Sequence, residues 1–295
     1  MQVSEALFYV DWYIFQLYTE HIMCVIIEEE CFMDNCTDDK AVLYSETGNV
    51  ATITMNRPQS LNSMSLELVD GVIAAIRRGE HNPDVRVMIL TGAGRAFSAG
   101  GDLPSLDTLN SLAERKAFIS QVGGMVKAIS AATKPIIAMV NGVAAGAGFN
   151  LAIACDLVYA AEGVKFIQSF VNVGLSPDCG GFFYLARCIG QARAKELMLT
   201  AKPLPAERAR EWGLINDVLP AEQLEEKVRQ VADLIASKAP LAVMKAKEGI
   251  GMYGASLEET LNFEAETSAV LLDTDDFREG VAAFKEKRQP VFQGR

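Results

Sequence analysis

"KPIIAMVNGVAAGAGFNLAIACDLVYAAE", residues 134–162, reads as strand, glycine-bearing turn, helix and strand in one continuous stretch. The run after Pro135 is apolar without alternation, as expected of a strand covered on both faces of a parallel sheet. Around Gly146 and Gly148 the side chains shrink to alanine and glycine, which lets another group approach the backbone closely. An apolar helical pattern opening near Gly148 follows at once, and "CDLVYAAE" then supplies a second buried strand. Two strands joined through a helix in this rhythm imply an α/β core.

The same rhythm extends towards the N-terminus. "NVATITMN" (49–56) is rich in β-branched residues, and "RVMILTG" (86–92) is another continuous apolar run. Between them Ser65 can cap a helix whose Leu66, Val69, Val72, Ile73 and Ile76 recur at helical spacing. Beyond about Gly180 the strands are expected to stop. There "YLARCIGQARAKELMLT", "PAERAREWGL", "AEQLEEKVRQVADLIASKA" and "LEETLNFEAETSAVLL" give successive helical patterns, with Leu224, Val228, Val231, Leu234 and Ile235 as a core stripe.

Composition narrows the chemistry. Half of the 295 residues are apolar, enough for one large core. The net charge of -11 is concentrated at the front, where residues 1–39 hold nine acids and no Lys or Arg. The remainder is near neutral and carries no electrostatic footprint for nucleic acid. "LFYVDWYIFQLYTEHIMCVII" (7–27) is interrupted by Asp11, Glu20 and His21, so it fits neither a membrane span nor, lacking a basic start, a signal peptide. It is read as an extension, residues 1–32, ahead of the fold, and the protein as cytoplasmic.

Six cysteines form no C-x-x-C pair or Cys/His cluster, so neither a metal site nor a disulfide framework is expected. Only His21 and His81 exist, and His81 reads as part of a surface turn. A His base or a Ser-His-Asp triad is thereby disfavoured. Carboxylates and backbone must carry any catalysis.

Two glycine turns, each after a buried strand, are the candidate site: "GRAFSAGGDLPSL" and the turn around Gly146. Neither fits a dinucleotide fingerprint or a P-loop. Taken singly they read equally well as tight strand-to-helix turns. As a pair they can supply two N–H donors from separate loops, the requirement of an oxyanion hole.

With "ITMNRP", "AFSAGGDL", "KPIIAMVNGVAAGAG", "ACDLVYAAE", "ELMLTAKPLPAERAREWGLINDV" and "DFREGVAAFKEKRQPVF" in order, the chain resembles the crotonase family, the enoyl-CoA hydratases and isomerases, from about Ala41 to Arg295. The resemblance implies a spiral of ββα units over residues 33–235. A helical oligomerisation region, 236–295, would follow, assembled as a homotrimer or dimer of trimers. It implies that the N–H groups of Gly101 and Ala147 hold the thioester oxygen of an acyl-CoA, with coenzyme A entering as part of the substrate and no other cofactor. It places Phe284 and Lys287 where CoA contacts occur, although Lys287 reads equally as a solvated charge, and Arg57 reads first as a surface charge and second as a partner of the CoA phosphates.

The positions matching the two hydratase glutamates are Asn150 and Phe170, neither able to act as general acid or base. Asp178 in "GLSPDCGG" matches the acid of some family isomerases, and the surrounding sequence looks most like the ring-type enoyl-CoA isomerase of phenylacetate breakdown. From spacing alone "SPDCGG" reads first as a helix start, with Ser176 as cap, Pro177 in the first turn and Asp178 favoured there by the dipole. Phe149, Phe170 and Phe182 would form an apolar setting that raises the pKa of Asp178. Phe149 and Phe170 read as core or as pocket wall, Asn150 as pocket lining, and Asp102 as a structural acid. The expected activity is a double-bond shift through one carboxylate, with hydration or a catalytically idle CoA-binding protein as alternatives. Dehalogenation is disfavoured because the histidine base it needs would fall near Gly123.

Overall fold

The computed structural model describes residues 40–295. The readings of residues 1–39, including His21, Cys24, Cys31 and Cys36, lie outside the described residues. Ala41–Arg295 is one compact unit.

The first described elements form a hairpin, β1 (Val42–Thr47) and β2 (Val50–Met55), joined by a two-residue turn with Gly48 at φ +59°. Helix α1 (Leu66–His81) is capped as the sequence predicts, the Ser65 side chain accepting from the Leu68 N–H. Its buried Leu68, Val69, Val72 and Ile76 face the sheet. His81 is the last residue of this helix instead of part of a turn; the helix ends at Asn82, whose backbone is extended and whose N–H donates to the Arg78 carbonyl.

From there the chain alternates between two sheets. β3 (Val87–Gly92) enters the larger sheet and β4 (Ala96–Ser98) the smaller; after α2 (Leu103–Asp107) and α3 (Leu112–Ala131) the same step recurs with β5 (Ile136–Val140) and β6 (Val143–Ala145). A third repeat follows α4 (Ala147–Ala154), with β7 (Leu157–Ala161) and β8 (Lys165–Ile167). Helix α5 (Gly181–Thr200) leads to β9 (Leu204–Pro205), α6 (Ala206–Glu211) and β10 (Asp217–Leu219). The resulting orders are β1-β2-β3-β5-β7-β10 and β4-β6-β8-β9. Each turn of the chain lays one strand on each sheet, which is the expected ββα spiral. All six residues of β3 are buried, so its lack of alternation was a faithful signal.

Two expectations are corrected here. Strands do not stop at Gly180: β9 and β10 close the edges of the two sheets, but two or three residues inside polar, helix-rich sequence leave no period to detect. In α7 (Ala221–Ala236) Leu224 and Val228 are buried whereas Leu234 is 57% exposed, on the outer flank of the stripe.

The C-terminal helices α8 (Pro240–Gly251), α9 (Leu257–Leu272) and α10 (Asp275–Glu286) complete the unit. Neither α8 nor α9 buries a residue, and polar ties fasten this region to the spiral. Lys247 Nζ reaches the Ile129 and Lys134 carbonyls and Asp156 Oδ2 (2.8 Å), while Arg86 donates to the Ala236 and Phe292 carbonyls. Buried Asp276 accepts from the N–H groups of Gln293 and Gly294, folding the tail back.

Candidate active site

Parallel pairing of β4 with β6 brings the two glycine turns together. Gly100 lies at φ +95°, and a Cβ there would stand 2.7 Å from the Ala145 carbonyl and 3.2 Å from Ala147 N. Gly146 lies at φ +52° and serves as N-cap of α4, so the helix opens on Ala147, one residue earlier than the sequence suggests. Both glycines are required by left-handed backbone and by contact between the loops. Gly148 fills a third close approach: a Cβ would lie 2.5 Å from the Ser98 carbonyl, with no flexible side-chain end to yield. Gly148→Ala is therefore expected to cost about 1–3 kcal/mol of unfolding free energy, read by chemical denaturation.

The two amides singled out from the sequence sit at this junction. Ala147 is the first residue of α4, so its N–H has no acceptor within the helix and points with the positive end of the dipole. Gly101 is exposed and follows directly on Gly100. Among the described residues neither amide donates to an acceptor.

The loop carrying Gly101 is held from behind. Asn62, fully buried, donates to the Ala93 and Ala96 carbonyls and accepts from the Arg57 N–H; Ser98 Oγ donates to the Asn62 carbonyl and accepts from the Gly100 N–H. Met64 N–H donates to the Gly100 carbonyl. Arg57 Nη1 binds Asp102 Oδ2 at 2.8 Å and the Ser63 carbonyl at 2.7 Å. Its guanidinium is thus tied into the loop and is not a free surface charge. Asp102 is structural as expected, through this ion pair.

Asp178 lies in the segment between the 3-10 turn Ser169–Val173 and α5. The helix starts at Gly181 behind Gly180, so Ser176 is not its cap and Asp178 is outside its first turn. Cys179 (φ +48°) and Gly180 (φ +74°) turn the chain away before helical geometry begins. One carboxyl oxygen, Oδ1, is shielded from water and has no hydrogen-bond partner. Burial pushes the carboxyl up to about 6, against a smaller opposing pull from its own backbone N–H. Of the three phenylalanines expected to form an apolar setting, Phe149 and Phe170 are buried, whereas Phe182 is 62% exposed.

Phe149 packs on Phe166, ring centroids 5.0 Å apart, and Phe170 reaches the Gly146 turn, where its Cζ would lie 3.7 Å from an added Cβ. Asn150 is fully buried on α4 and donates from Nδ2 to the Asp178 carbonyl at 2.8 Å. Thus Gly101, Ala147, Asn150, Phe170 and Asp178 belong to connected segments around the start of α4. Phe284 and Lys287 stand apart at the C-terminal end of α10, Phe284 85% exposed and Lys287 in left-handed conformation as its cap. Gln168, fully buried and bonded to Asn150 Oδ1 (2.7 Å), was missed by the sequence reading because a lone glutamine carries no spacing signal.

An α/β spiral in which two glycine turns meet near a shielded carboxyl is the arrangement that the crotonase resemblance implies. The family model described as Enoyl-CoA hydratase/isomerase matches residues 45–295. The chain is 34% identical over 265 residues to trans-2-decenoyl-[acyl-carrier-protein] isomerase of Streptococcus mutans, covering 88% of this chain and 100% of that protein. It is 37% identical over 250 residues to 1,2-epoxyphenylacetyl-CoA isomerase of Escherichia coli, covering 83% and 95%. The crystal structure of an enoyl-CoA hydratase from Bacillus anthracis superposes with TM-score 0.84 at 35% identity, covering 86% of this chain and all of that one. The chain belongs to the enoyl-CoA hydratase/isomerase family, and relatives of comparable similarity are named for either reaction.

Proposed function

We propose that this protein is an enoyl thioester isomerase in which Asp178 moves one proton between two carbons of the substrate. The observation that carries this reading is the shielded, unpartnered Asp178 Oδ1 on a carboxyl raised to about 6. The ionised carboxylate takes a proton from C2 of a 3-enoyl thioester. Electron density then spreads from C2 onto the thioester oxygen, where the Gly101 and Ala147 N–H groups stabilise the dienolate by about 3–4 kcal/mol each. The protonated Asp178 returns the same proton to C4, and the product is the 2-enoyl thioester. The shift is redox-neutral, so coenzyme A enters only as part of the substrate.

Asn150 and Phe170, at the positions of the hydratase glutamates in the family resemblance, support isomerisation over hydration. Phe170 offers no group to activate water, and the amide of Asn150 is engaged on both sides. Incubation with 3-enoyl-CoA and 2-enoyl-CoA, followed by mass-resolved product analysis, tests the reading. Interconversion of the two without addition of water is the expected result. Net hydration would restore the hydratase alternative, and tight binding without turnover the idle one.

Because the carboxylate is the active form, kcat/KM should fall about tenfold per pH unit below pH 6 and level off above it. A flat profile between pH 5 and 8 would remove Asp178 from the rate equation.

The assembly proposed is a homotrimer or dimer of trimers. Ile250, Leu257, Leu261 and Val270 stand 52–82% exposed on or beside α8 and α9, apolar surface that a monomer leaves in water. Native mass measurement at micromolar concentration is expected to give three or six chains, with little monomer. Phe284 and Lys287 remain the residues proposed to meet the adenine end of CoA.

A further inference from the structure

Oδ1 of the Asp178 carboxyl is free of partners, yet the residue's position is fixed through its main chain. The Asp178 carbonyl accepts two hydrogen bonds, from Asn150 Nδ2 at 2.8 Å and from the Gly181 N–H at 3.0 Å. Asn150 sits on α4 one helical turn beyond Ala147, so the element that presents an oxyanion donor also holds the acid loop. Its amide orientation is set in turn, because Asn150 Oδ1 accepts from Gln168 Nε2 at 2.7 Å. Both side chains are at most 1% exposed. Gly181 keeps room for the arrangement, since a Cβ there would lie 2.4 Å from Asn150 Nδ2.

A fixing bond of this kind is needed because the backbone after Asp178 is strained. Cys179 is a non-glycine residue at φ +48°, a conformation that costs of order 1 kcal/mol and persists only where its surroundings impose it. Glutamate, ionised, could not donate to the Asp178 carbonyl, and its charge beside Asp178 would oppose ionisation of the acid. A neutral amide meets both requirements.

Building on the acid–base reading above, we propose that Asn150, oriented by Gln168, is the positioning residue for Asp178: it clamps the main chain of the acid loop to the helix of the oxyanion hole. The side-chain carboxyl is thereby held at a set place while its own oxygen stays free for the substrate proton. Asn150 touches no substrate in this role.

The test compares wild type with Asn150→Asp, which keeps the shape and loses the donor, and with Gln168→Leu, which leaves Asn150 in place and free to rotate. Asp178→Asn serves as reference. Steady-state isomerisation of 3-enoyl-CoA is followed from pH 5 to 9, and unfolding free energy is measured across the same range. For Asn150→Asp the expected result is a kcat lowered about 10- to 100-fold with KM within about threefold, and an acid limb moved above pH 6. Gln168→Leu should give a smaller fall in kcat, again with KM little changed. Wild-type kcat and an unmoved acid limb in both variants, with Asp178→Asn inactive, would overturn the clamp and leave the acid–base reading intact. An active Asp178→Asn would overturn both. If Asn150→Asp does not fold, Gln168→Leu decides: an unchanged kcat there rejects the proposal.

Discussion

Asp178→Asn is expected to leave a folded protein whose isomerase kcat has fallen by about 10³-fold or more. General acid–base catalysis contributes about 10²–10⁴ in rate, and here one group serves both halves of the reaction. Asparagine preserves the shape, so the Asn150 bond to the main-chain carbonyl survives and KM should change little. The same substitution should stabilise the fold at neutral pH. In wild type the folded-state pKa of about 6 lies above the unfolded value of 3.8, so the folded state holds the proton more tightly. Stability therefore drops as pH rises through the window from about 4 to 6, and remains lower above it. The variant lacks that drop. Its unfolding free energy should match wild type near pH 3.5 and exceed it at pH 8 by of order 1 kcal/mol. Loss of turnover with gain of stability would mark Asp178 as a residue kept for chemistry. Retained turnover would remove it from the mechanism.

Ala147→Pro is expected to lower kcat about 10²- to 10³-fold by deleting one donor of the oxyanion hole. Proline is tolerated at the first position of a helix, where the N–H has no helical acceptor, and Ala147 occupies that position. The preceding residue is Gly146, which has no Cβ to meet the proline ring. The pyrrolidine ring also occupies space into which the N–H points, an effect of the same sign. Ala147→Gly keeps the amide and serves as the control, with activity near wild type. Melting temperatures of both variants within a few degrees of wild type, with turnover lost in the proline variant alone, would assign the donor. Equal turnover in the two would require another donor.

How far the sequence revealed this arrangement depended on the length and period of each signal. Central strands such as Val87–Gly92 were legible because a run buried on both faces excludes polar residues throughout. The edge strands Leu204–Pro205 and Asp217–Leu219 were not, since they are too short for a period and are defined by their partners. Gly100, Gly146 and Gly148 announced a close approach, and the loops do meet there. The start of α5 was misread because Ser176 and Pro177 carry local capping chemistry, whereas the left-handed Cys179 and Gly180 break the register before the helix begins. Arg57 with Asp102 and Asn150 with Gln168 were invisible as pairs. Their members are 45 and 18 residues apart, and only the folded chain brings them together.

Adjacent strands of any sheet run about 4.8 Å apart. Ser98 pairs with Ala144 in the smaller sheet, and Gly101 and Ala147 each follow three residues beyond these partners. The two amides are thus launched in step from neighbouring strands. Two donors separated by roughly one strand spacing can both reach a single oxygen at about 2.9 Å, one from either side. In the proposed oxyanion hole the sheet would act as a ruler for the gap that receives the substrate oxygen. Its graduation belongs to backbone hydrogen bonding, which side-chain substitution barely alters, so the acyl group can diversify around a fixed pair of donors.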